Sequence, residues 1–186
     1  MNPIVSNPAA AFRHDLDRDE QLLWTGTPKQ GITLQAGDAL MIPFSLMWGG
    51  FAIFWEYTVL SSGGPNFFAL WGIPFVAVGI YLIIGRFFYD AARRKKTFYA
   101  LTDKRAIIRS GVFQQSTKSI NLRTLSDITL NEKPDGSGTI VLGPEVASAY
   151  TFRTGWPGSH GKIAPSLEMI SGVRKVYNQI TSLQNT

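Results

Sequence analysis

The side chains able to do chemistry are few and scattered. The chain has no cysteine and two histidines, His14 and His160. The absence of cysteine excludes a thiol nucleophile, a disulfide framework and cysteine-bound zinc or iron–sulfur sites. Neither histidine has a second at metal-ligand spacing, which argues against zinc. Asp15, Asp17 and Asp19 alternate as the first ligands of a calcium loop do. Such a loop needs Gly at its sixth position and Glu at its twelfth, where this chain has Glu20 and Gly26. These acids are therefore read as a solvated segment. Gly136-Ser137-Gly138 follows Pro134-Asp135 in a turn instead of opening a helix, so it is no phosphate loop. With no nucleophile–base pair, the chain is read as a non-enzyme without cofactor or metal.

Charge and hydropathy define the elements that carry these residues. Residues 1–38 hold a net −2, residues 39–85 a single charge, Glu56, and residues 86–186 a net +8. The block 39–85 is too long for one membrane span, which needs about 20 apolar residues, and suits two. Spans are expected at 39–60 and 66–88, joined by an external turn at 61–65 whose Gly63-Gly64-Pro65 cannot continue a helix. Arg86, Arg93, Arg94, Lys95 and Lys96 follow the second span, and the turn carries no charge. Lys/Arg excess marks the cytoplasmic side, so both termini are expected there, with the N-terminus retained. The organisation expected is a cytoplasmic N-terminal tail at 1–38, the two-helix hairpin, a basic linker at 89–96 and a cytoplasmic domain at 97–186.

Ser45, Gly49, Ala52 and Glu56 recur at steps of 4, 3 and 4, which lines a small-residue stripe along one face of the first span. Gly72 and Gly79 give the second span a similar groove. The two stripes either pack on each other or receive a helix of another membrane protein. Arg93, Arg94, Lys95 and Lys96, with Lys104 and Arg105, are candidate contacts for anionic lipid, each worth about 1 kcal/mol at such a surface. The same cluster also serves simply to set topology.

From residue 97 the pattern turns to short β-type runs at 97–102, 105–109, 112–116, 118–122, 125–131, 139–142 and 149–153. After Pro165-Ser166, apolar residues recur at Leu167, Ile170, Val173, Val176, Tyr177 and Ile180, the face of one helix. The fold class expected is a membrane protein of α+β type: a two-helix transmembrane hairpin, then a seven-stranded β-barrel plugged by a C-terminal helix. Residues 97–186 are expected to be soluble and mainly β by themselves.

Tyr99-Ala100-Leu101-Thr102-Asp103-Lys104-Arg105, Ile107, Gly111, Ile120-Asn121-Leu122, Leu125-Ser126-Asp127-Ile128 and Gly136-Ser137-Gly138-Thr139-Ile140 follow in an order that is itself informative. With Trp24-Thr25-Gly26-Thr27-Pro28 ahead of the first span, they resemble bacterial membrane proteins carrying a bacterial pleckstrin-homology (PH) domain after one or two spans. The resemblance implies a PH-like binding scaffold without conserved chemistry. Phosphoinositide-binding members of the wider superfamily use basic residues around an extended first hairpin loop. Here that turn is short and carries only Lys104 and Arg105. The function expected is a membrane-anchored interaction module in the bacterial inner membrane. It would act as an accessory or scaffolding subunit for another integral membrane protein; recognition of anionic lipid is the alternative. Nucleic acid is not expected as a partner, since no basic–aromatic stacking platform is present.

Overall fold

Two antiparallel sheets and an inserted pair of apolar helices make up the structure, a computed structural model that describes residues 8–34, 37–63, 66–144 and 164–184. The first sheet runs β1 (Leu22–Gly26), β2 (Phe98–Thr102), β3 (Arg105–Ser110), β4 (Ser116–Asn121), in that spatial order. The second runs β5 (Ile128–Glu132), β6 (Ser137–Leu142), β7 (Ser166–Ser171). Between β1 and β2 lie α1 (Asp38–Ser61), α2 (Asn66–Ile80), a π-helical turn at Tyr81–Gly85 and α3 (Arg86–Lys95). The chain closes with α4 (Val173–Gln184). The described residues form two compact units, one from 8–31, 91–144 and 164–184 and the other from within 32–90.

In the sheet unit, alternation along β2 and β3 sends side chains to two different apolar layers. Tyr99, Leu101, Ala106 and Ile108 meet Ile140, Leu142, Leu167, Ile170 and the α4 residues Val173, Val176 and Ile180. Ala100 and Ile107 point the other way and are covered by Phe12, on the 3₁₀ turn Pro8–Phe12. A strand buried on both faces reads as a continuous apolar run, which is what Tyr99-Ala100-Leu101 is. α4 is tied down at its far end by Gln184, whose Nε2 donates to the carbonyls of Leu122 and Leu125 at 3.1 and 3.2 Å.

Several expectations need correction. The seven strands form two sheets, of four and three, and do not close into a barrel. Residues 112–116 and 118–122 are not two strands: Gly111–Gln115 is a loop and β4 runs through Ser116–Asn121. The C-terminal helix starts at Val173, because Pro165-Ser166 leads into β7, and Leu167 and Ile170 are strand residues. The described N-terminal residues are not solvated throughout, although Arg13, His14, Asp17, Arg18 and Asp19 are exposed. Leu22–Gly26 pairs with β2, Phe12 is fully buried, and Glu20 lies inside the sheet unit. The expected linker at 89–96 is mostly helix, continuing through Lys95. The run at 149–153, Gly64 and Pro65 fall outside the described residues.

In the other unit, α1 and the helix running from Phe67 to Lys95 are each long and apolar enough to cross a membrane.

Because β1 and the Phe12 turn complete the first sheet, a fragment of residues 97–186 should expose the β2 edge together with Ala100 and Ile107 and aggregate. Residues 8–31 joined to 91–186 by a short Gly/Ser linker should instead be soluble, β-rich by circular dichroism and cooperative in thermal melting. Equal behaviour of the two fragments would show β1 to be dispensable.

Candidate functional site

The small-residue stripe is consumed within the helical pair. Ser45, Gly49 and Ala52 are buried, and Gly49 faces Gly79 so closely that a Cβ on Gly79 would lie 2.9 Å from the Gly49 Cα. Gly72 sits under the Glu56 carboxylate and the Trp55 ring, where a Cβ would collide with both. Gly50, one residue along, faces open space. Close approach of two backbones at small residues is the packing mode open to helices that gain nothing from expelling water. In this structure Gly49 of the stripe lies against Gly79, and Glu56 against Gly72.

What faces outward is aromatic. Phe44, Trp48, Phe75, Trp71 and Phe67 form a chain of neighbouring rings with centroids 6.2–6.3 Å apart. A cleft of about 250 Å³ opens beside it, lined by Trp48, Phe51, Ala52, Trp55, Trp71 and Phe75. The pair is locked at its other end by Asp38, at the start of α1, and Arg86, whose charged groups meet at 2.9 Å and are buried. The Arg86 guanidinium also lies 4.4 Å from the centroid of the Phe87 ring. The sequence holds a signal for this pair, since opposite charges directly flank the apolar block.

The candidate lipid-binding cations do not form one surface. Arg94 is buried, and its Nη2 donates to the Gly31 carbonyl at 2.7 Å. Arg93 pairs with Glu168 at 3.6 Å. Lys95 and Lys96 are exposed, with the Lys96 ammonium donating to the Val112 carbonyl at 2.8 Å. Lys104 and Arg105 belong to the opposite edge of the first sheet. The ladder pairs Gly26 with Tyr99, Phe98 with Arg109 and Ser110 with Ser116 at one edge, and Leu22 with Thr102 and Arg105 with Asn121 at the other. Strands of this length separate the edges by roughly 15 Å.

Arg105 is also spent electrostatically. Its Nε and Nη2 bond the two carboxylate oxygens of Glu20 at 2.8 and 2.7 Å, and the Thr102 hydroxyl donates to the same carboxylate at 2.7 Å. Asp17 lies 3.4 Å from Arg105, and Asp15 lies 3.7 Å from Arg109. Of the acids that alternate like a calcium loop, Asp15 and Asp17 thus serve as anions for arginines of β3. Among the described residues, no three His, Asp or Glu side chains gather as a metal site. The Arg105 fork holds the Glu20 carboxyl down from its ordinary 4.5 to about 2.

A folded-state value below the unfolded one means stability that is complete above about pH 4.5 and is lost as pH falls toward 2. Glu20→Gln should cost roughly 3 kcal/mol at neutral pH, the scale for stranding one partner of a buried pair. It should also flatten the acid limb of thermal stability measured on the sheet domain; an unchanged limb would remove Glu20 from that role. In the helical pair, Gly79→Val should destabilise by about 1–3 kcal/mol through overpacking, whereas Gly50→Val should be nearly neutral. Denaturation of the detergent-solubilised chain by SDS separates the two, and equal effects would contradict the close glycine contact.

Comparison with known families adds one match, the model described as bacterial PH domain, over residues 41–183. No curated protein and no solved structure matches the chain. The match takes in both apolar helices, both sheets from β2 onward and all but the last described residue of α4, and the four-plus-three sheet arrangement with a C-terminal helix fits a PH-like fold. The chain therefore belongs to the bacterial PH domain family.

Proposed function

We propose that this chain is a non-enzymatic, membrane-anchored interaction module. Its helical pair crosses the bacterial cytoplasmic membrane as a hairpin, and its PH-like domain and both termini lie on the cytoplasmic side. The carrying observation is the burial of the two apolar helices. Only 22% and 17% of their most apolar windows are buried, although core helices of a soluble domain would be mostly enclosed. Phe51, Phe54, Phe67, Leu70 and Trp71 all stand largely exposed along them. In water such a surface would drive aggregation, while in hydrocarbon it is at rest.

The role that fits is an accessory or scaffolding subunit for another integral membrane protein. Because the small-residue stripe is used up inside the hairpin, the face offered to a partner helix is the aromatic one around Trp48, Trp71 and Phe75. Ring stacking and dispersion can hold a helix there without burying polar groups. The dispersal of the basic residues over two sheet edges, with Arg94 and Arg105 engaged, counts against anionic-lipid recognition as the main role.

The lack of native cysteine makes the topology directly testable. Ser62→Cys should react with an impermeant maleimide added to spheroplasts, whereas Lys133→Cys should react only after the membrane is opened. The chain should also resist extraction by alkaline carbonate. Labelling of both sites from outside, or release by carbonate, would overturn the hairpin. For the partner, a photo-crosslinking residue at Phe75 should join the chain to the membrane protein that co-purifies with it stoichiometrically in mild detergent. A monomer that cross-links to nothing would overturn the scaffolding role.

A further inference from the structure

Outside the apolar helices and the residues leading into them, the exposed large hydrophobic side chains of the described residues are Leu23 and Phe113, at 42% and 94%. Phe113 is at the tip of the β3–β4 loop, Gly111-Val112-Phe113-Gln114-Gln115, which carries no charge. The loop is held open at both ends. At its start, Gly111 has φ +145°, and a Cβ there would collide with the Gln114 carbonyl. At its far side the Gln115 amide oxygen accepts from Arg109 Nε and Nη2 at 3.0 and 2.7 Å. The bond from Lys96 to the Val112 carbonyl clamps the middle. This is a braced loop that projects one phenyl ring into solvent.

Its place in the sheet gives that ring a meaning. In an antiparallel sheet the β1–β2 and β3–β4 connections leave from the same edge, and the β2–β3 turn leaves from the other. The β1–β2 connection of this chain is the helical pair itself. Phe113 therefore emerges from the edge at which the chain departs for the apolar helices and returns from them. The residue that clamps its loop, Lys96, directly follows α3, and α3 continues the second apolar helix. From Arg86 to Lys96 is about 15 Å of helix.

We infer that the β3–β4 loop is a second membrane contact, with the Phe113 ring seated in the headgroup–acyl boundary of the leaflet that the hairpin enters and the exposed Lys95 and Lys96 ammonium groups at phosphate level. An uncharged aromatic tip flanked by lysines is the chemistry of an interfacial anchor. This inference rests on the reading of the helices as spanning.

The test uses the full chain in vesicles of phosphatidylcholine and phosphatidylglycerol, with single cysteines carrying an environment-sensitive NBD label. Labels at Val112→Cys and Phe113→Cys should show blue-shifted emission, quenching by doxyl groups on the lipid acyl chains and protection from iodide. A label at Lys104→Cys, on the opposite edge, should behave as in water. The Val112→Cys label should lose its blue shift when Phe113→Asp is added, which shows that the native ring and not the dye seats the loop. Water-like emission at Val112 and Phe113 together with lipid-like emission at Phe54→Cys, in α1, would overturn the loop contact and leave the spanning helices standing. Water-like emission at Phe54→Cys would overturn both. Protection of the loop that disappears on raising the lipid-to-protein ratio would assign it to a second copy of the chain and also overturn the inference.

Discussion

The pairing of β1 with β2 is the constraint on which the rest of the structure depends. Thr102 of β2 bonds Glu20, just ahead of β1, across 82 positions of chain, and between the strands lies the entire apolar block. Closing so long a loop carries an entropic cost that grows only slowly with its length. What the ladder demands is geometric: the ends of the insertion must come back to one edge of one sheet. A helical hairpin satisfies this because its two helices run out and back. The Asp38–Arg86 pair and the Gly49–Gly79 contact hold those helices side by side.

Glu20 shows how the N-terminal residues are recruited to this arrangement. A carboxylate with no exposed side-chain surface needs its charge met fully. Arg105 meets it with two parallel bonds while the Thr102 hydroxyl closes the remaining lone pair. The network seals the Leu22 end of β1, and the Phe12 ring covers the outer face of β2 and β3. Asp15, Asp17 and Glu20 of the acidic stretch are met by Arg105 and Arg109 of β3, while Arg93 pairs with Glu168 and Arg94 donates to a backbone carbonyl. Net charge by segment therefore overstates the positive surface available to any ligand.

The apolar helices are legible in the sequence because hydrophobic length is a local property, and the stripe of Ser45, Gly49, Ala52 and Glu56 because helical periodicity is local too. The errors come from pairings that no local window contains. β1 has five residues and a partner far away, so no local window marks Leu22–Gly26 as a strand. β7 is misread for a sharper reason. Leu167 and Ile170, three apart, are both buried in the core although a regular strand would turn them to opposite faces. The register against β6 slips between Gly138 and Ile140, and Met169 adopts φ +50° there. One bulged residue converts a spacing of two into three, and three is also the signature of a helix. The same Gly111 that marks a turn in the sequence hides its consequence, since the length of the loop after it depends on where β4 finds its register with β3.

The edge of the first sheet carries the functional argument further than any single residue does. At the edge of the β2–β3 turn, the tight Asp103-Lys104 turn is tied back to the chain, with Gln21 N–H donating to the Asp103 carboxylate at 2.9 Å and Asp103 N–H to the Gln21 carbonyl at 3.1 Å. At the edge where β1 ends and β2 begins, Arg94, Lys96 and Arg109 each donate to a backbone carbonyl, and those bonds stiffen the segments where the chain passes between its two units. A cation that donates to a carbonyl of its own fold is worth more as a brace than as a bait for a diffusing anion, because its geometry is fixed and its charge partly answered. The basic residues at this edge therefore act first as rigging for the backbone.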